Sequence, residues 1–292
     1  MTSKLKSVVL AALLAASLPV LAATPAAVVE GVQMPAWIER PGGGRVPVAP
    51  GMELKAGDQV RTGTNSRLLV KLSEGSLVKL GENGSLRIAE VDAGGGNLFK
   101  AALGVAEGAF RFTTDALQKN RRRDVRITVA TVTAGIRGTD LWGKSDRADR
   151  QIVCLIEGVI EVGAAGETPV VMDQPRQFYR REQGRTQPIG FVEAAQLVEW
   201  AKETEIAAGT GAARRGGKFR VTLAQVDTQE AALAVYDQVR AAGYAASIFP
   251  AMIESKRVYN VRIVSLPSKA EAEALAASLK GKYGVSDPKV SG

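Results

Sequence analysis

Two stretches of sequence decide the fold of the C-terminal region: Phe219-Arg-Val-Thr-Leu223 and Tyr259-Asn-Val-Arg-Ile263. In both, apolar and other residues alternate as expected of a β-strand with one buried face. Each stretch is followed by apolar residues at helical spacing. The helical residues coincide when the chain is laid over itself at an offset of 40 residues, which indicates an internal repeat of βα units. The matching residues are Ala232, Val235, Tyr236 and Val239 in the first copy, and Ala272, Leu275, Ala276 and Leu279 in the second.

Two short strands complete the repeat. One is predicted over residues 245–249, after the first helix, and one over residues 285–290, after the second. The sequence therefore predicts an α+β domain of ferredoxin-like βαββαβ type, with a four-stranded sheet and both helices on one face. The predicted caps are Asp227 or Thr228 for the first helix, a Ser268/Glu271 capping box for the second, and Gly243 and Gly281 at the helix ends.

The same alternation predicts which side chains the helices leave uncovered. With the apolar residues turned inward, the residues between them face outward, and an aromatic residue on the neighbouring strand joins them. Polar donors around an aromatic ring suit a sugar chain with hydroxyl and acetamido groups, although a solvated sheet has the same pattern. The predicted open face consists of Arg220, Thr222, Phe249, Asn260 and Arg262.

The region from residue 31 to about residue 187 consists of short β-like runs separated by glycine or asparagine turns, without a helical stripe. It is predicted to be all-β. The clearest strands are Arg67–Leu72, Leu86–Ile88, Phe110–Phe112, Val125–Val129, Ile152–Ile156 and Val159–Val162. Turns are predicted at 56–58, 62–65, 74–75, 83–84 and 157–158.

A helix is predicted over Val192–Ala208, and it could pack on either domain. It is followed by Gly209–Gly217, in which four of nine residues are glycine. This composition predicts a flexible connector.

The first 23 residues have the pattern of a secretory signal peptide. Lys4 and Lys6 precede an apolar run, Ser7–Leu18, and small residues follow, so cleavage is predicted after Ala22 or Ala23. The mature protein is then expected to be soluble and periplasmic. An uncleaved N-terminal anchor is the alternative.

Composition argues against an enzyme. The chain contains no histidine, which removes the commonest general base and the usual zinc ligand, and leaves only carboxylate-pair or lysine chemistry. No spacing of metal ligands is present, and no cofactor is predicted. The net charge is +8 with the cations dispersed, and export argues against nucleic acid as the partner. The single cysteine, Cys154, lies in an apolar run and is interpreted as buried strand filler.

Three further motifs are interpreted without a catalytic role. Residues 138–145 match the phosphate-loop pattern, but Asp140 would repel phosphate, Trp142 would obstruct the loop, and no helical stripe follows. Residues 76–79 match Ser-x-x-Lys only by chance, since the partner motifs of that enzyme class are missing. Arginines at 121–123, 176, 180, 181 and 185 are interpreted as solvated charges that could contact anionic envelope groups.

The C-terminal segment resembles the SPOR (sporulation-related repeat) family through Phe219-Arg-Val, Ala241-Ala-Gly-Tyr244, Tyr259-Asn-Val-Arg-Ile263 and Pro267–Leu275. The resemblance implies a domain that binds peptidoglycan glycan strands stripped of their stem peptides, often at the division septum. Thr222 and Gln225 stand where family members carry a glycan-contacting glutamine and serine. Asn260 replaces the family's arginine, and Arg262 lies two residues further on.

The β-rich part resembles the FecR domain through Gly51–Gly63, Ala134-Gly-Ile-Arg-Gly-Thr-Asp-Leu-Trp142 and Ile156–Val162. The resemblance implies a twisted, solenoid-like or roll-shaped periplasmic domain that recognises another protein.

Together these features predict a multidomain, non-enzymatic envelope protein that binds peptidoglycan glycan strands and a periplasmic or outer-membrane protein, but no nucleic acid and no nucleotide. A sensory or regulatory component of a FecR-type signalling system is the alternative, with a carboxylate-dependent glycan hydrolase behind it. The predicted divisions are a signal peptide at 1–23, a β domain at 24–187, a helix and linker at 188–217, and the glycan-binding domain at 218–292.

Overall fold

The computed structural model describes residues 25–92, 98–114, 122–147 and 149–292. The predicted signal peptide and Arg121 lie outside these residues. Among the helices that are described, none is long and apolar enough to cross a membrane.

The N-terminal region is mostly β, as predicted, and its strands join one 17-stranded sheet. Alternating burial explains the strands: in β6 the residues Leu68, Val70 and Leu72 are buried and their neighbours are not. The strands are β1 (Ala27–Gln33), β2 (Ala36–Glu39), β3 (Arg45–Pro47), β4 (Glu53–Leu54), β5 (Gln59–Thr62), β6 (Arg67–Leu72), β7 (Leu77–Leu80), β8 (Ser85–Val91), β9 (Leu98–Thr113), β10 (Arg122–Val129), β11 (Val132–Arg147), β12 (Arg150–Ala164), β13 (Val170–Met172), β14 (Gln177–Glu182), β15 (Arg185–Thr186), β16 (Gly190–Phe191) and β17 (Ala213–Arg214).

The pairing of these strands does not confirm a solenoid or a roll. Strand β1 pairs with β4, β6 and β17, and the long strand β9 pairs with β7, β8, β10 and β11. Among the described pairings only β9 with β10 is parallel, whereas a solenoid stacks successive parallel coils. The six predicted strands all lie within β6, β8, β9, β10 and β12.

One predicted turn is wrong. Residues 157–158 were expected to separate two strands, but both runs belong to the continuous strand β12. Gly158 has φ 93° and stands where the register between β11 and β12 shifts. A glycine in this conformation inserts a bulge into a strand without ending it.

A connector, defined here as residues 192–217, follows the β domain. Its helix α1 covers only Ala194–Lys202, not the predicted Val192–Ala208, and has no fully buried residue. Further on, the connector contributes β17, which pairs with Gly31 and Val32 of β1.

The C-terminal domain has the predicted βαββαβ order: β18 (Phe219–Val226), α2 (Gln229–Ala241), β19 (Ser247–Ile253), β20 (Lys256–Leu266), α3 (Lys269–Leu279) and β21 (Lys289–Ser291). Its four strands are arranged β19-β20-β18-β21. Both interior strands follow the predicted alternation, with Val221, Leu223, Val261 and Ile263 buried. The two short strands start later than predicted, at Ser247 and Lys289.

Thr228 and Ser268 cap the two helices, as predicted, through their side-chain oxygens. Thr228 Oγ1 accepts a hydrogen bond from the Ala231 amide, and Ser268 Oγ accepts one from the Glu271 amide, each at 3.2 Å. The capping box is incomplete, because the Glu271 carboxylate does not return to the helix start; it binds amides of the connector.

Candidate functional site

The uncovered face of the C-terminal sheet is organised in two rows of side chains. In the first row, Thr222 of β18 pairs with Arg262 of β20 on one side and with Lys289 of β21 on the other. Ser247 of β19 continues the row, since it pairs with Arg262. Cross-strand partners point to the same side of a sheet, so these four side chains share one face.

The second row contains Gln225, Asn260 and Phe249, which pair across β18, β20 and β19. Regular alternation would put Thr222 and Gln225 on opposite faces, because Gln225 is the third residue after Thr222. The register shifts between Thr222 and Ala224, and this bulge returns Gln225 to the face of Thr222. The bulge therefore brings together the two residues that the SPOR resemblance singled out.

Arg262 is held in place from two directions. Its Nε donates to Thr222 Oγ1 at 3.1 Å, and its guanidinium carbon lies 5.8 Å from the centroid of the Phe249 ring. The Phe249 side chain itself is 38% exposed. A guanidinium beside an exposed ring is typical of sites that combine stacking with hydrogen bonding.

Asn260 and Arg220 differ from the prediction in their exposure. Asn260 is only 3% exposed, and its Nδ2 donates to the Phe249 carbonyl at 3.3 Å. This hydrogen bond therefore supports the backbone that carries the Phe249 ring. Arg220 is half-buried beside Ser291 of β21, and its Nε is shielded from solvent without a hydrogen bond among the described residues.

Lys289 and Ser247 lie on the open face but were not predicted. Lys289 precedes Val290, which packs against the core, so the alternation of β21 could have identified it. Ser247 begins a strand that was predicted to start two residues earlier, at Ala245.

Comparison with family models identifies both regions. The FecR protein model matches residues 58–161 and the SPOR domain model matches residues 216–290. The chain is a FecR-domain protein with a C-terminal SPOR domain. No curated protein matches the chain significantly.

A comparison with solved structures finds two matches of low similarity. Both are crystal structures of a proposed anti-sigma factor from Parabacteroides distasonis ATCC 8503, at 1.65 and 2.50 Å resolution. Each is 13% identical with a TM-score of 0.40, and the match covers 75% of this chain and 91% or 90% of the other.

The connector between the two regions is fixed to the β domain by aromatic and ionic contacts. Trp200 of α1 stacks on the buried Trp142 of β11, with ring centroids 4.7 Å apart and an interplanar angle of 10°. Phe178 of β14 meets Trp200 edge-on at 6.3 Å. Glu203 follows α1, and its carboxylate oxygen lies 2.8 Å from Lys144 Nζ of β11. Glu205 pairs with Lys79 and Arg111.

These ion pairs shift the ionisation of their members. Burial opposes the charged form of Lys144, but hydrogen bonds to Glu203 and Asp146 outweigh it, so the pKa of Lys144 is raised. Burial likewise opposes ionisation of Asp146, but its bonds from Arg150 and Lys144 outweigh it and lower the pKa of Asp146. Both groups are therefore held in their charged forms.

The glycine-rich end of the connector is fixed to the SPOR domain, although its composition predicted flexibility. The buried Glu271 carboxylate accepts hydrogen bonds from the amides of Gly209, Gly211 and Ala212, at 2.6, 2.7 and 3.0 Å. At Gly211, which has φ +77°, a Cβ would lie 2.9 Å from the Leu275 backbone. Glycine is needed here because the connector backbone touches the helix directly.

The two motif matches that were interpreted as chance lie in strands of the β domain. Residues 138–145 form part of β11, with Trp142 fully buried, and do not open a helix. Residues 77–79 belong to β7. Arg123 is nearly buried and faces the buried Glu74 carboxylate at 3.8 Å, and Arg181 pairs with Glu167.

Cys154 is fully buried, and burial raises the pKa of its thiol to about 12. At neutral pH the nucleophilic thiolate is therefore suppressed, which agrees with its interpretation as strand filler. In the described part of the chain, no group of three acidic or cysteine side chains could hold a metal ion.

Proposed function

We propose that this protein is an exported, non-enzymatic protein of the periplasm whose SPOR domain binds glycan strands of peptidoglycan, while its FecR domain binds a protein partner. The proposed glycan-binding domain covers residues 218–292, joined through residues 188–217 to a β domain at 24–187. The proposed glycan-binding residues are Arg220, Thr222, Gln225, Phe249, Asn260 and Arg262. Among them, the buried Asn260 acts through the backbone beneath Phe249 rather than by contact.

One observation supports this proposal above the others. Five of the six proposed residues stand in two adjoining rows on the sheet face that the helices leave open. At their centre Arg262 contacts both Thr222 and Phe249. An aromatic surface with ordered polar groups around it is suited to the apolar face and hydroxyl edge of a sugar ring.

Sedimentation with purified sacculi tests the proposal. The full-length protein is incubated with sacculi before and after an amidase has removed the stem peptides, and the bound fraction is measured. We expect binding to rise after the treatment, because bare glycan then becomes accessible. Equal and negligible binding in both samples would exclude glycan binding. Arg262→Ala and Phe249→Ala are expected to weaken binding while the thermal unfolding transition is retained.

A regulatory role within a FecR-type signalling system is the alternative, and an exposed strand edge favours it. Strand β13 is paired only with β12 among the described strands. Val170 and Val171 of β13 and Val159 of β12 are 38–54% exposed. Natural edge strands are usually protected by charge or by a covering segment, so an apolar edge is suited to receive a partner strand. A photo-crosslinker at Val171, compared with one at the exposed Glu254, tests this in cells: capture of a receptor or transducer only at Val171 favours signalling.

The absence of histidine supports a non-enzymatic role. Carboxylate-dependent glycan hydrolysis would be revealed by release of soluble muropeptides from sacculi during incubation with the purified protein. We expect no release above the buffer control.

A further inference from the structure

We propose that the open face of the SPOR domain recognises negative charge on the glycan, namely the lactyl carboxylates that muramic acid exposes after its stem peptides have been removed. This inference rests on the proposed glycan binding and names the chemical group that carries it. It differs from the sequence-based interpretation, in which hydroxyl and acetamido groups supplied the contacts.

The charge of the face is the first observation. Arg220, Arg262 and Lys289 all lie on it, and neither row contains an acidic residue. None of the three cations makes an ion pair within the part of the chain that the structure describes. Cations on the β domain, by contrast, commonly face a carboxylate, as Arg111 faces Asp140 at 2.7 Å. An anionic ligand would supply the partners that the SPOR face lacks.

The geometry of Arg262 is the second observation. Its Nε is occupied by Thr222, and its two terminal nitrogens make no hydrogen bond within the described residues. The contact with Phe249 limits rotation of the guanidinium plane. An arginine fixed in this way presents a fork of N–H groups, which matches the two oxygens of a carboxylate better than it matches a single hydroxyl.

The spacing of the cations fits a repeating polymer. Lys289 and Arg262 flank Thr222 on neighbouring strands, so their backbone positions are about 10 Å apart, or two strand spacings. Muramic acid recurs once in every disaccharide along a glycan strand. Long cationic side chains extend from these two positions, so the two cations can meet carboxylates of different muramic acids on one strand.

Intact and stripped peptidoglycan differ in charge at the lactyl group of muramic acid. In intact peptidoglycan the lactyl group is joined to the stem peptide by a neutral amide. Hydrolysis breaks this C–N bond with one water molecule and leaves a carboxylate on the lactyl group and an ammonium on the released peptide. The face would therefore distinguish stripped from intact glycan by a carboxylate on the sugar itself, in addition to any steric effect of the peptide.

Chemical blocking of the carboxylates tests this inference. Amidase-treated sacculi are divided, and one half is converted to neutral amides with a carbodiimide and ammonia, which leaves the hydroxyl and acetamido groups intact. We expect the full-length protein to bind the blocked glycan at least about ten-fold more weakly, because charge-assisted hydrogen bonds are lost. Arg262→Gln and Lys289→Gln are expected to weaken binding to the unblocked glycan in the same direction.

Lys280→Gln is the matched control, since Lys280 is also exposed but follows α3 on the helix side. Undiminished binding to blocked glycan would overturn the inference while leaving glycan binding intact. An equal loss in Lys280→Gln would also overturn it, because net charge alone would then explain the result. Failure to bind either form of stripped glycan would contradict the proposed function itself.

Discussion

The β domain and the SPOR domain both carry cations on an outer sheet face, but they use them differently. On the β domain, Lys144, Arg111 and Lys79 are paired with carboxylates of the domain itself or of the connector that crosses it. On the SPOR domain, Arg262 and Lys289 have no acidic partner among the described residues. A cation paired within the chain contributes mainly to stability, whereas an unpaired ordered cation is available to a ligand.

The largest effect should come from removing the aromatic contact on the β domain. Trp142→Ala should lower the free energy of unfolding by about 3–5 kcal/mol, because the fully buried ring and its stack with Trp200 are lost. Urea titration followed by circular dichroism measures this. Val198→Ala, on the exposed side of α1, is the control and should change the free energy by less than about 0.5 kcal/mol. Similar values for the two variants would show that α1 is not packed on the sheet.

Removal of the Glu271 carboxylate should have the next largest effect. Glu271→Ala leaves three connector amides without their acceptor, at a cost of about 1–3 kcal/mol. Hydrogen exchange gives a local measurement, since the amides of Gly209, Gly211 and Ala212 should lose protection. Glu273→Ala should leave their exchange unchanged, since Glu273 is exposed on the same helix and accepts none of these hydrogen bonds. Rapid exchange of these amides in the unmodified protein would contradict the fixed connector.

A direct comparison of two lysines sharpens the difference between the domains. Lys144→Gln should lower the free energy of unfolding by about 0.2–1 kcal/mol, since it removes contacts with Glu203 and Asp146. Lys289→Gln should leave the unfolding transition nearly unchanged, because no ion pair within the described residues is lost. The prediction fails if Lys289→Gln proves the more destabilising of the two in thermal unfolding.

The smallest effect concerns pH. The pKa of Asp146 is lower in the folded protein than in an exposed carboxyl, so its ionised form stabilises the fold above the ordinary carboxyl range. This contribution is lost as the pH falls through the lowered pKa. Asp146→Asn should therefore reduce the slope of stability against pH in the acidic range. Asp287→Asn, an exposed control, should retain the slope; a parallel change in both would contradict the assignment to Asp146.

Local periodicity predicted much of the fold, and long-range contacts account for what it missed. The repeat at Phe219 and Tyr259 gave the order of the SPOR domain, because alternation and helical spacing are properties of neighbouring residues. The return of Gln225 to the open face depends on a bulge, which shifts the register without a clear sequence signal.

Two further features could not be predicted from local pattern. The burial of Asn260 depends on its bond to the backbone of an adjacent strand. The glycine-rich connector was expected to be flexible because composition describes the chain by itself. Its fixed position depends on Glu271, which lies about 60 residues further along the sequence.

The fixed connector has a consequence for how the protein would sit on the cell wall. Because the connector is hydrogen-bonded to Glu271 and paired with β1, the SPOR domain cannot swivel freely about it. A molecule seated on a glycan strand would then hold β13 at a set angle to that strand. The orientation of the bound glycan would then also set the direction from which the partner proposed for the FecR domain could reach this edge.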